Sequence, residues 1–313
     1  MRPGPDPHVA RWIRRTLADD PPRARSLVIT VWGDALAPHG GEVWLAALIR
    51  LLEPFGINER LTRTSVFRLA RDGWLAGETH GRQSRYRLTD QGRARFEAAY
   101  RRIYAPPVED WSGEWEMIVD PPLAASASER ARLRDELGWD GFGTLVPCVY
   151  VRPRVDGDAG AETTRLGAAD RAIVLEARET RDARAQTLAA RIADVWDLAS
   201  LATGYRQFLA RFGRVIDRFR MRDIASADPE QCFVVRTLLI HAFRRVLLRD
   251  PRLPPALLPL DWPGAAAFVL TRDFYRLTLA RAEAHLASSF AVNGSTLPAA
   301  EPSFFERFGG LSR

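Results

Sequence analysis

Turns built on glycine and proline cut residues 26–104 into short pieces, and this punctuation most narrows what the chain can fold into. "SLVITVWGDAL" (26–36) is apolar and continuous enough for a short buried helix, and "PHGG" (38–41) ends it. In "EVWLAALIRLL" (42–52), Val43, Leu45, Ala46, Leu48, Ile49 and Leu52 fall near helical spacing, which predicts a second helix running to "EPFG" (53–56). Asn58 then caps a third helix that stops at Gly73. Two extended pieces, 74–79 and 84–88, follow around a turn through Gly81, and "TDQGRARFEAAYRRIY" is helical with Thr89 or Asp90 as its cap. Three short helices and a hairpin in this order form a winged helix-turn-helix pattern, which other small α+β domains can share.

The third helix has two unlike faces. Thr62, Val66 and Leu69 form an inward stripe, while Arg60, Arg63, Thr64 and Phe67 share the opposite face at i, i+3, i+4 and i+7 spacing. A solvated face ordinarily mixes acids with bases, yet here the acids, Glu59 and Asp72, stand only at the ends. Arginine can bind guanine O6 and N7 bidentately, and threonine or phenylalanine can meet phosphates or thymine methyls. These four residues are therefore candidate base readers, with Arg68 and Arg71 on the flanks, better placed for phosphates. The hairpin adds Arg82, Gln83, Arg85 and Arg87 near its turn, as a wing laid on the DNA backbone or minor groove would.

Charge supports this reading only through its distribution. Every basic residue is arginine, a bias that by itself says little about nucleic acid. Residues 1–104 hold 18 arginines against 11 acidic residues, a net of +7, whereas residues 105–313 hold 27 against 28. The excess lies wholly in the first third, the footprint of a nucleic-acid module joined to a neutral body.

Beyond a linker at 105–112, "EWEMIVDPP" (114–122), "GTLVPCVYVRP" (143–153) and "DRAIVLEA" (170–177) are strand candidates, with a helix near 126–138 and an exposed loop at 154–169. This predicts a small ferredoxin-like α+β domain over 110–180. From 181 the period becomes helical, with Leu188, Ile192, Val195, Trp196, Leu201, Tyr205, Phe208 and Phe212 in one apolar stripe. Two further helices, near 229–249 and 264–289, flank the proline-rich "RDPRLPPALLPLDWPG" and complete a helical C-terminal domain over 181–290. Residues 291–313 lack a clear period and are expected to form a loose tail. Residues 1–24 are an extension ahead of the DNA-binding domain, assigned here to 25–104.

Several classes are unsupported. No apolar run reaches the ~18 residues a transmembrane helix needs, and the N-terminus lacks a secretory core. Cys148 and Cys232, the two cysteines, read as small buried hydrophobes in a reducing cytoplasm. Asp120, ending the first central strand, reads as a turn residue before two prolines; ferredoxin-fold endonucleases, which the central domain resembles, have an aspartate at the similar place, and a metal-dependent nuclease is the rival reading that this resemblance implies, but no neighbouring carboxylate or histidine completes a site in sequence. GxSxG, HExxH, P-loop and helix-opening GxGxxG motifs are absent, so neither catalytic residues nor a cofactor are assigned.

"GGEVWLAALIRLLEPFGINERLTRTSVFRLARDGWL", "GRQSRYRLTDQGRARFEAAYRRIY", "GWDGFGTLVPCVYVRP" and "LIHAFRRVLLRDPRLPPALLPLDWPG" together closely resemble the PaaX family, the phenylacetic acid degradation repressors, over roughly 25–285. The resemblance implies an α+β multidomain protein with three parts: a winged helix-turn-helix, a central domain similar to the small ferredoxin-fold CRISPR-associated endonuclease, and a helical C-terminal domain. It also implies a homodimer that reads double-stranded operator DNA through 58–72 and is released by an aryl-CoA thioester, typically phenylacetyl-CoA; the sign of regulation, repressor or activator, stays open. In that light Arg244 and Arg245, beside His241, are candidates for the phosphates of the effector, or else pair with Asp250 or Asp261; the plainer reading of His241, itself a candidate effector residue, is a buried hydrogen-bonded side chain. Tyr205, Trp262 and Trp196 either line an aryl pocket or belong to core.

Overall fold

The computed structural model describes residues 4–107, 110–120, 126–154, 172–179, 187–291 and 294–311. They divide into two compact units, Met1–Ala105 with Phe208–Arg245 and Ala267–Arg313, and Pro106–Gln207 with Val246–Ala266. Segments from either end of the chain thus share one body.

The first unit contains α1 (Pro7–Asp19), α2 (Ala24–Val31), β1 (Glu42–Trp44), α3 (Leu45–Leu52), α4 (Glu59–Arg71), β2 (Leu75–His80), β3 (Gln83–Leu88) and α5 (Asp90–Tyr104). The sheet order is β1-β3-β2, antiparallel throughout. Helix, strand, two helices and a hairpin in this order make a winged helix-turn-helix. Residues 42–44 correct the expected single helix over 42–52. Gly40 and Gly41, with φ of 88° and 69°, turn the chain, and Val43 and Trp44 pair with Tyr86 and Arg85 before the helix begins. Leu27, Val28, Val31, Trp32, Leu48, Leu52, Val66 and Leu69 are buried. Gly92 fits α5 against the base of the wing, where a Cβ would stand 2.1 Å from the Trp74 carbonyl oxygen.

The same unit takes in most of α9 (Pro229–Leu247) and α10 (Pro263–Ala291), together with α11 (Pro302–Phe305). The loose tail expected for 291–313 is corrected here. Phe304, Arg307, Phe308 and Leu311 are buried, and Glu301 N–H donates to the Pro38 carbonyl at 2.8 Å. Arg307 donates to the backbone carbonyl of Asp34 at 2.9 Å and to its carboxylate at 3.2 Å, with Tyr100, Tyr104, Tyr275 and Phe304 around its guanidinium at 4.0–5.6 Å. Tyr104 and Tyr275 hydroxyls donate to the same Asp34 oxygen at 2.6 and 3.0 Å. A charge removed from water needs such partners, and here they fix residues without any period of their own.

In the second unit, β4 (Glu114–Val119), β5 (Gly143–Val146), β6 (Val149–Pro153) and β7 (Ile173–Arg178) form an antiparallel sheet ordered β5-β6-β4-β7. With α6 (Ala127–Trp139) between β4 and β5, this is the strand order of a ferredoxin-like domain. The piece 143–153 is a hairpin rather than one strand, because Pro147 lacks an N–H and Cys148 adopts φ of 66°. Most of the loop expected at 154–169 lies outside the described residues. The apolar stripe from Leu188 is not one helix either: α7 (Ile192–Val195) ends at Trp196, whose backbone is extended, and α8 (Leu198–Arg220) starts afresh. Trp115, Val151, Ile192, Trp196, Leu253 and Leu257 share one core, so Trp196 is a core residue. The chain is an α+β multidomain protein. None of its described helices is long and apolar enough to cross a membrane.

Candidate nucleic-acid interface

Both ends of α4 are fixed by local chemistry. Gly56, with φ of 76°, lets the chain reverse after Phe55, and the Asn58 side chain accepts from Leu61 N–H at 3.0 Å. At the far end Gly73 N–H reaches the Ala70 carbonyl and Trp74 N–H the Leu69 carbonyl, a Schellman cap. Thr62, Ser65, Val66 and Leu69 face the interior. The Thr62 and Ser65 hydroxyls donate to the backbone one turn earlier, which satisfies them without another element.

Arg60, Arg63, Thr64, Phe67, Arg68 and Arg71 are all exposed, in the phase expected from sequence. Phe67 is 66% exposed, and Leu61, which sequence spacing did not single out, is 45% exposed. Exposed apolar side chains beside arginines are costly in water and suit a partner that covers them. The arginines differ in their freedom. Arg63 places Nε and an Nη at 2.8 and 2.6 Å from one Glu59 oxygen, and Arg71 lies 3.5 Å from Asp72. Among the described residues the side chains of Arg60 and Arg68 have no ion pair.

The wing turns at Gly81 and Arg82, with a positive φ only at Gly81, the pattern of a type II′ turn. Arg82 and Gln83 are exposed at its tip. Arg85 is differently engaged: it pairs with Glu42 at 2.6 Å and Glu78 at 3.5 Å and lies over Trp44. Arg87 also reaches Glu78, whose carboxyl is held below its usual range first by Arg85, then His80 and Arg87. The arginines of β3 are thus neutralised across the sheet, leaving the tip as the basic part of the wing.

The five candidate effector residues fall into two groups. His241 and Arg244 meet at the Thr30 hydroxyl, at 2.8 and 2.9 Å, and this hydroxyl lies 3.1 Å from the Ser26 carbonyl. If the hydroxyl donates to Ser26, its lone pairs serve Arg244 and an Nδ1–H of neutral His241. Arg244 is largely buried, its pKa pulled down by that burial, and no carboxylate pairs with it among the described residues. Arg245 is exposed and pairs with Asp20 at 3.4 Å, not with Asp250 or Asp261. Tyr205 and Trp262 belong to the second unit. There the Tyr205 hydroxyl donates to Asp250 at 2.6 Å and its ring meets the Trp262 edge at 5.9 Å. Asp120 is buried after β4, its N–H bonded to the Cys148 carbonyl. Burial pushes the Cys232 thiol up to about 12, so it is not a thiolate nucleophile at neutral pH.

Burial and the neighbouring Arg244, Arg245 and Arg211 hold His241 down to about 4, against a smaller opposing pull from Asp20. Burial, with Arg50 and Arg236, does the same to His285 despite Asp228. Between about 4 and 6.5 the unfolded state binds protons that the folded state does not, so stability is full above about 6.5 and falls with pH below it. A loss of about 2 kcal/mol per histidine is expected by pH 5, measured by urea unfolding against pH 7.5. Equal stability at the two values would contradict this account.

Comparison with known proteins accords with this layout. The model for PaaX-like protein matches residues 23–92, that for the PaaX protein central Cas2-like domain 108–189, and that for the PaaX-like protein C-terminal domain 196–288. The Transcriptional repressor PaaX of Escherichia coli (strain K12) is 34% identical over 296 residues, which is 93% of this chain and 92% of that protein. A solved structure, uncharacterized protein Rv0674 from Mycobacterium tuberculosis, matches 83% of this chain and 97% of its own with a TM-score of 0.55 and 29% identity.

Proposed function

The chain belongs to the PaaX family of transcriptional repressors, and from that premise we propose that it binds a specific operator as a cytoplasmic homodimer and is released by an aryl-CoA thioester such as phenylacetyl-CoA. The observation that carries the DNA reading is the outer face of α4, where exposed Phe67 stands among Arg60, Arg63 and Arg68 on a capped helix. That helix enters the major groove, Arg60 and Arg63 reading bases with Thr64 and Phe67 beside them. Arg68, Arg71, Arg82 and Gln83 hold the backbone, while Arg85 stiffens the wing through Glu42. Two-fold symmetry calls for an inverted-repeat operator with half-sites about one helical turn, or a multiple, apart. The protein acts by binding and not by catalysis.

The effector reading draws on Arg244, a largely buried guanidinium whose one hydrogen bond among the described residues is to a neutral hydroxyl. Such a group matches a phosphate, and a thioester that favours the DNA-incompetent state by a few kcal/mol suffices to empty the operator. The test is a gel shift on the promoter DNA flanking the chain's own gene, with a panel of CoA thioesters. The expected result is a shifted band lost on adding an aryl-CoA, with Arg244→Gln binding DNA normally and needing about tenfold more thioester. No shift under any condition sinks the repressor reading; a shift that no thioester relieves sinks the effector reading alone.

A further inference from the structure

We propose that α1, which precedes the family's winged-helix match, is a second DNA-contacting element that binds phosphates flanking the operator half-site. It rests on the DNA-binding reading above and extends it to a surface that reading does not use.

The helix begins on a built anchor. Asp6 caps it, accepting from the His8 and Val9 N–H groups, and is itself buried between Arg218, at 3.0 Å, and Arg222. Gln231 exchanges two 2.9 Å hydrogen bonds with the Asp6 backbone. Farther along, the Trp12 ring packs on Phe212 at 5.4 Å and its Nε1–H donates to the Arg211 carbonyl. Asp20, beyond the last turn, pairs with Arg211 at 2.8 Å. Val9 and Thr16 are buried, so the inner face is committed to the body.

What remains outside is Arg11, Arg14 and Arg15, at i, i+3 and i+4, all exposed. Arg15 has only a 3.4 Å pair with Asp19, both ends solvated, and Arg11 and Arg14 have no ion pair among the described residues. A solubilising face needs no such anchoring, whereas a held row of guanidiniums matches a held row of phosphates. The helix is about 20 Å long, and Arg11, Arg14 and Arg15 lie within about 6 Å of its length, a span that suits neighbouring phosphates of one strand. Connection to the groove-facing helix is short. Residues 20–23 join α1 to α2, and Arg25 in the first turn of α2 pairs with Asp72 at the end of α4 at 2.7 Å. Arg23, exposed at that junction, continues the basic row.

The experiment compares the full chain with Arg11→Gln/Arg14→Gln/Arg15→Gln, measuring operator affinity across a salt series and base preference on a panel of mutated operators. The substituted side chains are solvent-facing, and thermal unfolding checks that the fold is unchanged. The variant is expected to show a shallower dependence of log affinity on log salt, by about 2–3 per half-site and so about 5 for the two-fold dimer, and more than 100-fold weaker binding at physiological salt. Its base preference stays that of the parent, and hydroxyl-radical protection shortens at the outer edge of each half-site. If the parent binds and the variant matches it in slope and footprint, the role of α1 is overturned and the stripe serves solvent or an acidic protein. If the parent binds no duplex, the DNA-binding reading fails first and this inference falls with it.

Discussion

Asp34→Ala is expected to cost the fold about 3–5 kcal/mol, lowering the thermal midpoint by on the order of 10 °C. The carboxylate is 1% exposed in a π-helical turn between α2 and β1 and answers to four groups at once. Arg307, Tyr104 and Tyr275 bond to one of its oxygens, and Arg236 lies 3.7 Å from the other. Removing it leaves two guanidiniums, each 0% exposed, short of a counter-charge that water cannot replace. Arg236 keeps Glu283 at 3.1 Å, but among the described residues Arg307 keeps only backbone carbonyls, a hydroxyl and ring faces. Arg307→Met, of similar length and uncharged, is expected to cost less than Asp34→Ala, and combining the two should recover part of the loss. Urea unfolding followed by tryptophan fluorescence measures all three. A cost below about 1 kcal/mol for Asp34→Ala would mean that the cluster is not what fixes the C-terminal segment.

That cluster also marks where sequence stops being informative. The winged helix is legible because its signals are local: glycine at each reversal, Asn58 as cap, and a change from period 3.6 to period 2. β1 hides because Val43 and Trp44 continue the apolar spacing of the helix after them; only pairing with Tyr86 and Arg85 makes them a strand. Arg307 lies 273 residues from its carboxylate, and no periodicity announces a buried ion pair. The wing's cross-strand ion pairs are hidden in the same way. Arg85 and Arg87 look like free phosphate contacts until Glu42 and Glu78 are brought across the sheet to them. The start of α1 was within reach, since Asp6 before Pro7 is a helix-capping pair. What that helix docks against, Arg218, Arg222 and Gln231, is more than 200 residues away.

Arg63→Ala is expected to weaken operator binding and, more tellingly, to flatten discrimination at one base pair of each half-site. One bidentate contact is worth about 1–3 kcal/mol, and a two-fold dimer loses it twice, so the complex forfeits about 2–6 kcal/mol, or roughly 30-fold to 10⁴-fold. Arg60→Ala should do the same at a neighbouring position. Arg68→Ala and Arg71→Ala should weaken every sequence alike and lower the salt slope by about 1 per contact. Glu59 sharpens the distinction. By holding two nitrogens of Arg63 it limits the guanidinium's orientations before DNA arrives, so less freedom is lost on contact. Glu59→Gln should therefore relax base preference at the Arg63 position while adding no phosphate contact. Titrations of the operator and its single-base variants at two salt concentrations separate these outcomes. If Arg63→Ala changed all sequences equally, Arg63 would be a backbone contact, and base reading would pass to Arg60 with Thr64 and Phe67.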